Sequence, residues 1–183
     1  MPSLLRQETT HIKTNNNKNM NTNPTGKERI AVFPGSFDPF TIGHYSIVKR
    51  ALAFVDKIVI AIGVNEAKHT FFTLDARKEI IHQAFADEPR IIVDSYDSLT
   101  VDYAKKVGAT IILRGIRSIQ DFEYEKTIAD ANRKLSGIDT ILLFTEPEHS
   151  FISSTVVRDV LRYGKDVAEF MPPGIDVSKM KRK

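Results

Sequence analysis

The sequence predicts an α/β protein built on a doubly wound, parallel sheet of five strands with helices on both faces. Three observations carry this. Short apolar runs alternate with amphipathic segments five times between Arg29 and Gly164. The runs are continuously apolar, as strands buried on both faces are, and parallel sheets covered by helices are the usual cause. Turn and cap residues punctuate the segments at the right places.

The first strand is Ile30-Ala31-Val32-Phe33, ended by Pro34-Gly35. Residues 44–55 place Ile47, Val48, Ala51, Leu52 and Val55 at helical spacing. Ile58 to Val64 is a second, β-branched strand. Thr73 caps a helix carrying Leu74, Ile80, Ile81, Ala84 and Phe85. Ile91-Ile92-Val93 is the third strand, and Val101, Tyr103, Ala104 and Val107 form a short helix stopped by Gly108. Thr110 to Leu113 is the fourth strand. Ser118 to Asp121 resembles a capping box and opens a long helix through Leu135, closed by Gly137. Thr140 to Phe144 is the fifth strand, and Ser153 or Ser154 caps a last helix to Tyr163, before Gly164.

The chain divides into an Asn-rich stretch at 1–28, expected to be disordered, one domain at 29–178, and a basic tail at 179–183. Residues 1–28 contain no aromatic side chain and cannot offset their ordering entropy by burial. No apolar h-region marks a secretory signal, scarce Arg and Ser weaken a transit-peptide reading, and Met20 offers an internal start. The 183 residues are 42% hydrophobic, enough for a real core, yet contain no bilayer-spanning run. With no cysteine, disulfides, thiolate nucleophiles and iron–sulfur clusters are excluded. The 26 Lys and Arg against 23 Asp and Glu give a net charge of +3, but the excess sits in the two ends. An acidic body argues against a nucleic-acid groove.

In doubly wound sheets ligands bind beyond the carboxyl ends of the strands. Pro34-Gly35-Ser36-Phe37-Asp38-Pro39-Phe40-Thr41-Ile42-Gly43-His44 follows strand one. Gly35 permits close backbone approach, Ser36 offers a hydroxyl, and His44 at a helix start suits phosphate, although a lone His there is commonly a helix-entry residue. Neither phosphate-loop fingerprint is present, which disfavours P-loop NTPases and ordinary NAD dehydrogenases. Arg114-Gly115-Ile116-Arg117 follows strand four, with guanidinium groups suited to bidentate phosphate contacts. Phe151-Ile152-Ser153-Ser154-Thr155-Val156-Val157-Arg158 follows strand five and carries more hydroxyls than capping needs. Lys68 lies after strand two, and Asp121-Phe122-Glu123-Tyr124-Glu125 lies on the long helix.

Together these segments resemble the bacterial phosphopantetheine adenylyltransferase family of the nucleotidyltransferase superfamily, from Arg29 to about Pro173. Thr41 and the Asp121–Glu125 segment point to this member of the superfamily. The resemblance implies a Rossmann-like fold, Mg²⁺, a cytoplasmic homohexamer, and adenylyl transfer from ATP to 4′-phosphopantetheine, giving 3′-dephospho-coenzyme A and pyrophosphate. No membrane or nucleic-acid partner is implied. By the same resemblance His44 stabilises the transition state. Ser36, Phe37, His44, Gly115, Ile116, Arg117, Glu125, His149, Ser150, Phe151, Ile152, Ser153, Ser154 and Thr155 hold ATP. Ser36, Lys68, Thr100 and Arg114 contact phosphopantetheine. The chain departs from the family pattern at Ser36, where many members carry Thr, at Thr100, and at His149, where an aromatic is frequent. The alternatives are a nucleotidyltransferase with another acceptor or with CTP, a non-catalytic nucleotide sensor, and a nucleic-acid-binding protein.

Overall fold

The computed structural model describes residues 26–65 and 67–183, so most of the Asn-rich stretch lies outside the described residues. Five strands, β1 (Ile30–Gly35), β2 (Lys57–Gly63), β3 (Ile91–Tyr96), β4 (Ile111–Ile116) and β5 (Asp139–Phe144), form one sheet. The order is β3-β2-β1-β4-β5 and every pairing is parallel. The α-helices are α1 (Ile42–Ala51), α2 (Leu74–Ala84), α3 (Thr100–Lys106), α4 (Ile119–Ser136) and α5 (Ser154–Arg162). The fold class read from the sequence is the one observed.

Alternate residues of β1, β2 and β4 feed two cores. Ala31, Phe33, Ile58, Ile60 and Leu113 pack with Ile47 and Val48 of α1, Ile80 and Ile81 of α2, and Val157 and Leu161 of α5. Val32, Val59, Ala61 and Ile112 pack with Val101, Tyr103 and Ala104 of α3. Helix α4 lies beside α3 and against β4 and β5. Burial on both faces is why the strands read as unbroken apolar runs.

The strand order reverses between β1 and β4, which makes that junction the switch point. The β1–β4 register runs through Ala31–Ile111 and Val32–Ile112, whereas β1 pairs with β2 from Ile30–Lys57 to Gly35–Ile62. Past Val32 the two central strands part. This explains why β1 continues through Pro34 to Gly35, two residues beyond the apolar run that marks it in the sequence. Alternate β1 residues face β4, as the Ile30 carbonyl does in accepting the Thr110 N–H at 3.0 Å. Pro34 therefore turns its missing donor toward a strand that has already moved away.

The helix starts follow their caps. Thr73 accepts the Ala76 N–H at 3.2 Å, and Ser118 accepts the Asp121 N–H at 3.1 Å. Ser153, not Ser154, caps α5 by accepting the Val156 N–H at 3.1 Å. Helix α1 starts at Ile42, two residues earlier than its apolar periodicity suggests, because Thr41 is the N-cap. It ends at Ala51, and Val55 packs into the core from the turn beyond it.

Residues 179–183, read as a basic tail, lie against the body. Arg182 forms an antiparallel bridge with Phe72. The Lys181 carbonyl accepts the Thr73 N–H at 3.2 Å, and the Lys183 N–H donates to the Phe71 carbonyl at 2.9 Å. The Arg182 guanidinium sits 5.2 Å from the Phe71 ring centroid. Truncation after Ser178 should therefore cost about 2 kcal/mol, two net backbone bonds and a solvent-exposed cation–π contact being involved. The melting temperature should fall by about 4–8 °C. An unchanged calorimetric transition would show that this strap adds nothing to stability.

Candidate active site

A cleft of about 380 Å³ opens where β1 and β4 part. Its floor is Phe33 to Asp38, its walls are Arg114, Gly115 and Arg117 on one side and Lys68 and His69 on the other, and Ser153, Ser154, Thr155 and Arg158 close the rim. The first turns of α1, α4 and α5 border it through Gly43 and His44, Asp121, and Ser154 and Thr155. Three helix N-termini at one cleft favour an anion. A second cleft, lined by Gly63, Val64, Asn65, Tyr96, Asp97 and Ser98, joins the first through Gly35, Ser36 and Lys68, which line both. The two clefts therefore share a border at Ser36.

The loop after β1 is held from outside. Four carbonyls between Pro34 at the end of β1 and Pro39 are each taken by a side chain from another element. Arg114 of β4 donates Nη1 to the Pro34 oxygen at 2.6 Å, and Arg77 of α2 donates Nη1 to the Ser36 oxygen at 2.7 Å. Arg158 of α5 donates Nη1 to the Asp38 oxygen at 2.7 Å, and Ser154 Oγ donates to the Pro39 oxygen at 2.8 Å. The Asp38 carboxylate accepts the Phe71 and Phe72 N–H groups at 2.7 and 2.8 Å, tying the loop to the segment after Lys68. Phe37 has φ of 44°, rare for an aromatic residue. Its ring lies over Gly35, where an added Cβ would come within 2.7 Å of it, so position 35 takes no other residue without displacing the ring.

His44 is fixed at both its nitrogen and its ring. Nδ1 accepts the Thr41 N–H at 3.0 Å and lies 2.9 Å from Thr41 Oγ1. Because Nδ1 accepts from a backbone donor, the neutral ring carries its proton on Nε2. Phe33, Phe37 and Phe40 surround the imidazole, with ring centroids 5.2–6.2 Å away. Burial, and then the charges of Arg117 and Arg114, push its pKa down to about 4. At neutral pH His44 is an uncharged donor.

The acidic residues of the cleft are engaged. Glu125 is buried and takes both Nε, at 2.7 Å, and Nη2 of Arg114. A guanidinium has five N–H bonds, so Arg114 keeps two after serving Glu125 and Pro34. Asp121 Oδ2 accepts the Arg117 N–H at 3.0 Å and its Nε at 3.1 Å. Glu146, Glu148 and His149 bring a ligand atom each within 4.8 Å of one another, outside the cleft lining.

Of the residues selected from sequence, the structure brings Ser36, Phe37, His44, Lys68, Arg114, Gly115, Arg117, Glu125, Ile152, Ser153, Ser154 and Thr155 to the main cleft. Ile116, His149, Ser150 and Phe151 do not line it, Ile116 being core and Phe151 being 63% exposed. Thr100 lines neither cleft and reaches the second through a 2.8 Å bond to the Tyr96 hydroxyl. Asp38, His69, Thr145 and Arg158 line the main cleft without having been selected. Asp38 and Arg158 stood inside motifs already recognised, so their presence there was the available signal. Nothing local marks His69 or Thr145.

The family model described as cytidylyltransferase-like matches residues 32–160. The phosphopantetheine adenylyltransferase of Phocaeicola vulgatus is 61% identical over 149 residues, covering 81% of this chain and 99% of that protein. That of Bacteroides thetaiotaomicron is 59% identical over 150 residues, covering 82% and 99%. The chain belongs to the phosphopantetheine adenylyltransferase family. A solved bifunctional NMN adenylyltransferase/ADP-ribose pyrophosphatase from Francisella tularensis, complexed with AMP and a manganese ion, superposes with a TM-score of 0.61 at 16% identity. That match covers 82% of this chain and 46% of the other, so it shows the shared fold of one half. The adenylyltransferase resemblance read from the motifs is thus the family to which the chain belongs.

The sign of the His44 shift sets a stability test in this adenylyltransferase. Its folded pKa lies below the unfolded value of about 6.5, so the unfolded chain takes the proton first. The associated stability is complete above about pH 6.5 and is lost as pH falls toward 4. In urea denaturation, His44→Gln should gain on the parent protein progressively from pH 7 to pH 4. A parent–variant difference constant over that range would show that His44 titrates normally.

Proposed function

We propose that the two joined clefts carry out adenylyl transfer from ATP to 4′-phosphopantetheine, giving 3′-dephospho-coenzyme A and pyrophosphate. The observation that carries this reading is the meeting of two clefts at Ser36 and Lys68, beside the cationic wall of Arg114 and Arg117. ATP takes the main cleft, with its phosphates toward the helix starts, Arg117, and Ser153 to Thr155. The acceptor takes the second cleft and brings its phosphate to Ser36 and Lys68.

A phosphate monoester has a second pKa of about 6 and is largely dianionic at neutral pH. It needs no general base. Its oxygen attacks the α-phosphorus in line, the new P–O bond forms as the bond to the β-phosphate oxygen breaks, and pyrophosphate leaves with the electron pair. What the protein supplies is placement and cover for moving charge. His44 donates Nε2–H to the oxygens of the transferring group. Lys68, Arg117 and the two spare N–H bonds of Arg114 neutralise the acceptor and the leaving group. Glu125 acts by holding the Arg114 fork in plane.

Among the described residues of the cleft, both carboxylate oxygens of Asp38 and of Glu125 accept N–H donors and Asp121 uses Oδ2 alone, so the carboxylates offer one open oxygen and not a ligand cage for a resident ion. These residues fit Mg²⁺ that enters on the triphosphate as part of the nucleotide substrate. The family's hexamer is supported by apolar side chains left exposed on α4, Ile119, Phe122, Ile128 and Leu135. Among the described residues no helix is long and apolar enough to cross a membrane. The cytoplasm, where ATP is made available to biosynthesis, is the site we assign.

The deciding experiment measures pyrophosphate release from ATP with phosphopantetheine, and from CTP or with nicotinamide mononucleotide as controls. Equal or faster release in a control would overturn the assignment. His44→Ala should lower kcat by about 10²–10³-fold, the effect of deleting one oriented donor. ATP affinity should change far less, because the contact matures in the transition state. A kcat within a few fold of the parent would remove His44 from the chemistry. Lys68→Ala should raise KM for phosphopantetheine about tenfold or more, the loss of one charge-assisted contact. Equal rises for both substrates would show that Lys68 acts only through the field of the site.

A further inference from the structure

Arg77 is a buried cation that does not itself line the cleft. It sits in the first turn of α2, is 3% exposed, and lies among core residues of that helix. Burying a guanidinium is costly, and among the described residues Nε has no hydrogen-bond partner. The Asp38 carboxylate offsets some of that cost electrostatically, but both its oxygens are bonded elsewhere. An apolar side chain would fill the position at less expense. What Arg77 does make is the 2.7 Å bond from Nη1 to the Ser36 carbonyl.

That carbonyl belongs to the peptide between Ser36 and Phe37. Among the described residues the cis peptide is Asp38–Pro39, so the Ser36–Phe37 peptide is trans and planar. Its N–H therefore points opposite to its C=O. The C=O faces Arg77, inside the protein. The Phe37 N–H faces away from Arg77, and among the described residues no protein group accepts it. Ser36 and Phe37 both line the cleft.

The same peptide is strained. With φ at 44°, Phe37 would relax if the peptide rotated about Ser36 ψ and Phe37 φ. That rotation would turn the Ser36 carbonyl into the cleft and the N–H out of it. A carbonyl oxygen would then face phosphate where a donor is needed.

We infer that Arg77 is a positioning residue for adenylyl transfer, its guanidinium holding the Ser36–Phe37 peptide so that the Phe37 N–H is presented to substrate phosphate. This rests on the reading of the cleft as the adenylyl-transfer site. It assigns catalytic consequence to a side chain that meets neither substrate.

The test compares Arg77→Met, Arg77→Lys and Ile80→Val. Ile80 lies on the same helix, fully buried, and serves as a control for lost packing. Lysine keeps the charge, but its ammonium ends one bond short of Nη1. Turnover per folded molecule, ATP affinity by calorimetry and the melting temperature are measured on each. R77M should lower kcat by about ten- to a hundredfold, the scale set by misplacing one group by about 1 Å. Its ATP Kd should stay within about threefold of the parent, the interaction being one that matures in the transition state. R77K should lose kcat several fold, and I80V should keep the parental kcat despite a lower melting temperature. A folded R77M with parental kcat overturns the inference. So does a loss in I80V matching that in R77M, which would make the effect one of stability. If R77M does not fold, R77K decides alone, parental kcat overturning the inference and a several-fold loss at unchanged ATP Kd supporting it. A parent protein that releases no pyrophosphate overturns the functional reading and this inference together, whereas an active parent beside an undiminished R77M overturns only the inference.

Discussion

The parting of β1 from β4 beyond Val32 and Ile112 is the constraint on which the rest of the site depends. A central parallel pair that stayed in register would fill the crevice with ladder hydrogen bonds. Because the strands separate, Pro34 can stand in the middle of a sheet without leaving a broken ladder. Its free carbonyl becomes an acceptor for Arg114, across the gap. Arg114 in turn is flattened against Glu125 from α4. One departure from regular sheet geometry thus opens the cleft, supplies its cationic wall and ties that wall to a helix on the far side.

The cleft gathers positive charge without making every cation available. Arg77, Arg114 and Arg158 are each engaged in holding a backbone carbonyl at the end of β1 or in the loop after it. Their order is enforced by bonds of 2.6–2.7 Å to main-chain oxygens, so little reorganisation remains when a substrate arrives. His44 shows the electrostatic consequence. Burial and two nearby guanidinium groups keep it neutral, and the Thr41 N–H assigns its tautomer. A charged imidazole would bind ground-state phosphate more strongly. A neutral one saves its interaction for the charge that develops in transfer.

The alternation of apolar runs and amphipathic helices, the caps at Thr73 and Ser118, and the stop at Gly137 were all legible in the chain. These are local matters. A threonine can accept an N–H three residues on, and glycine alone adopts φ of 76° at no cost. The family was legible too, because Gly35, His44, Arg114 and Arg117 occur at fixed spacings within short segments. What determines those segments is the approach of backbone to phosphate, and that need is written in neighbouring residues.

The partnerships between segments belong to the tertiary structure alone. Arg77 reads as an ordinary helix residue in Leu74-Asp75-Ala76-Arg77-Lys78, and its burial follows only once α2 packs beneath the loop carrying Ser36. Ser154 differs from Ser153 by one place, yet one caps a helix and the other grips Pro39 across 115 residues of sequence. Thr100 is set back from the clefts because Tyr96, at the end of β3, lines the second cleft and takes the Thr100 hydroxyl as its hydrogen-bond partner. The basic end reads as solvated, but the Phe71–Thr73 segment offers it unpaired backbone groups and an aromatic face. The sequence by itself determined the elements, their order and the chemistry at the strand ends, since these depend on neighbours along the chain. The tertiary structure decided which carbonyl each arginine holds and which nitrogen of His44 carries the proton, since a hydrogen bond between distant residues exists only when packing brings donor to acceptor.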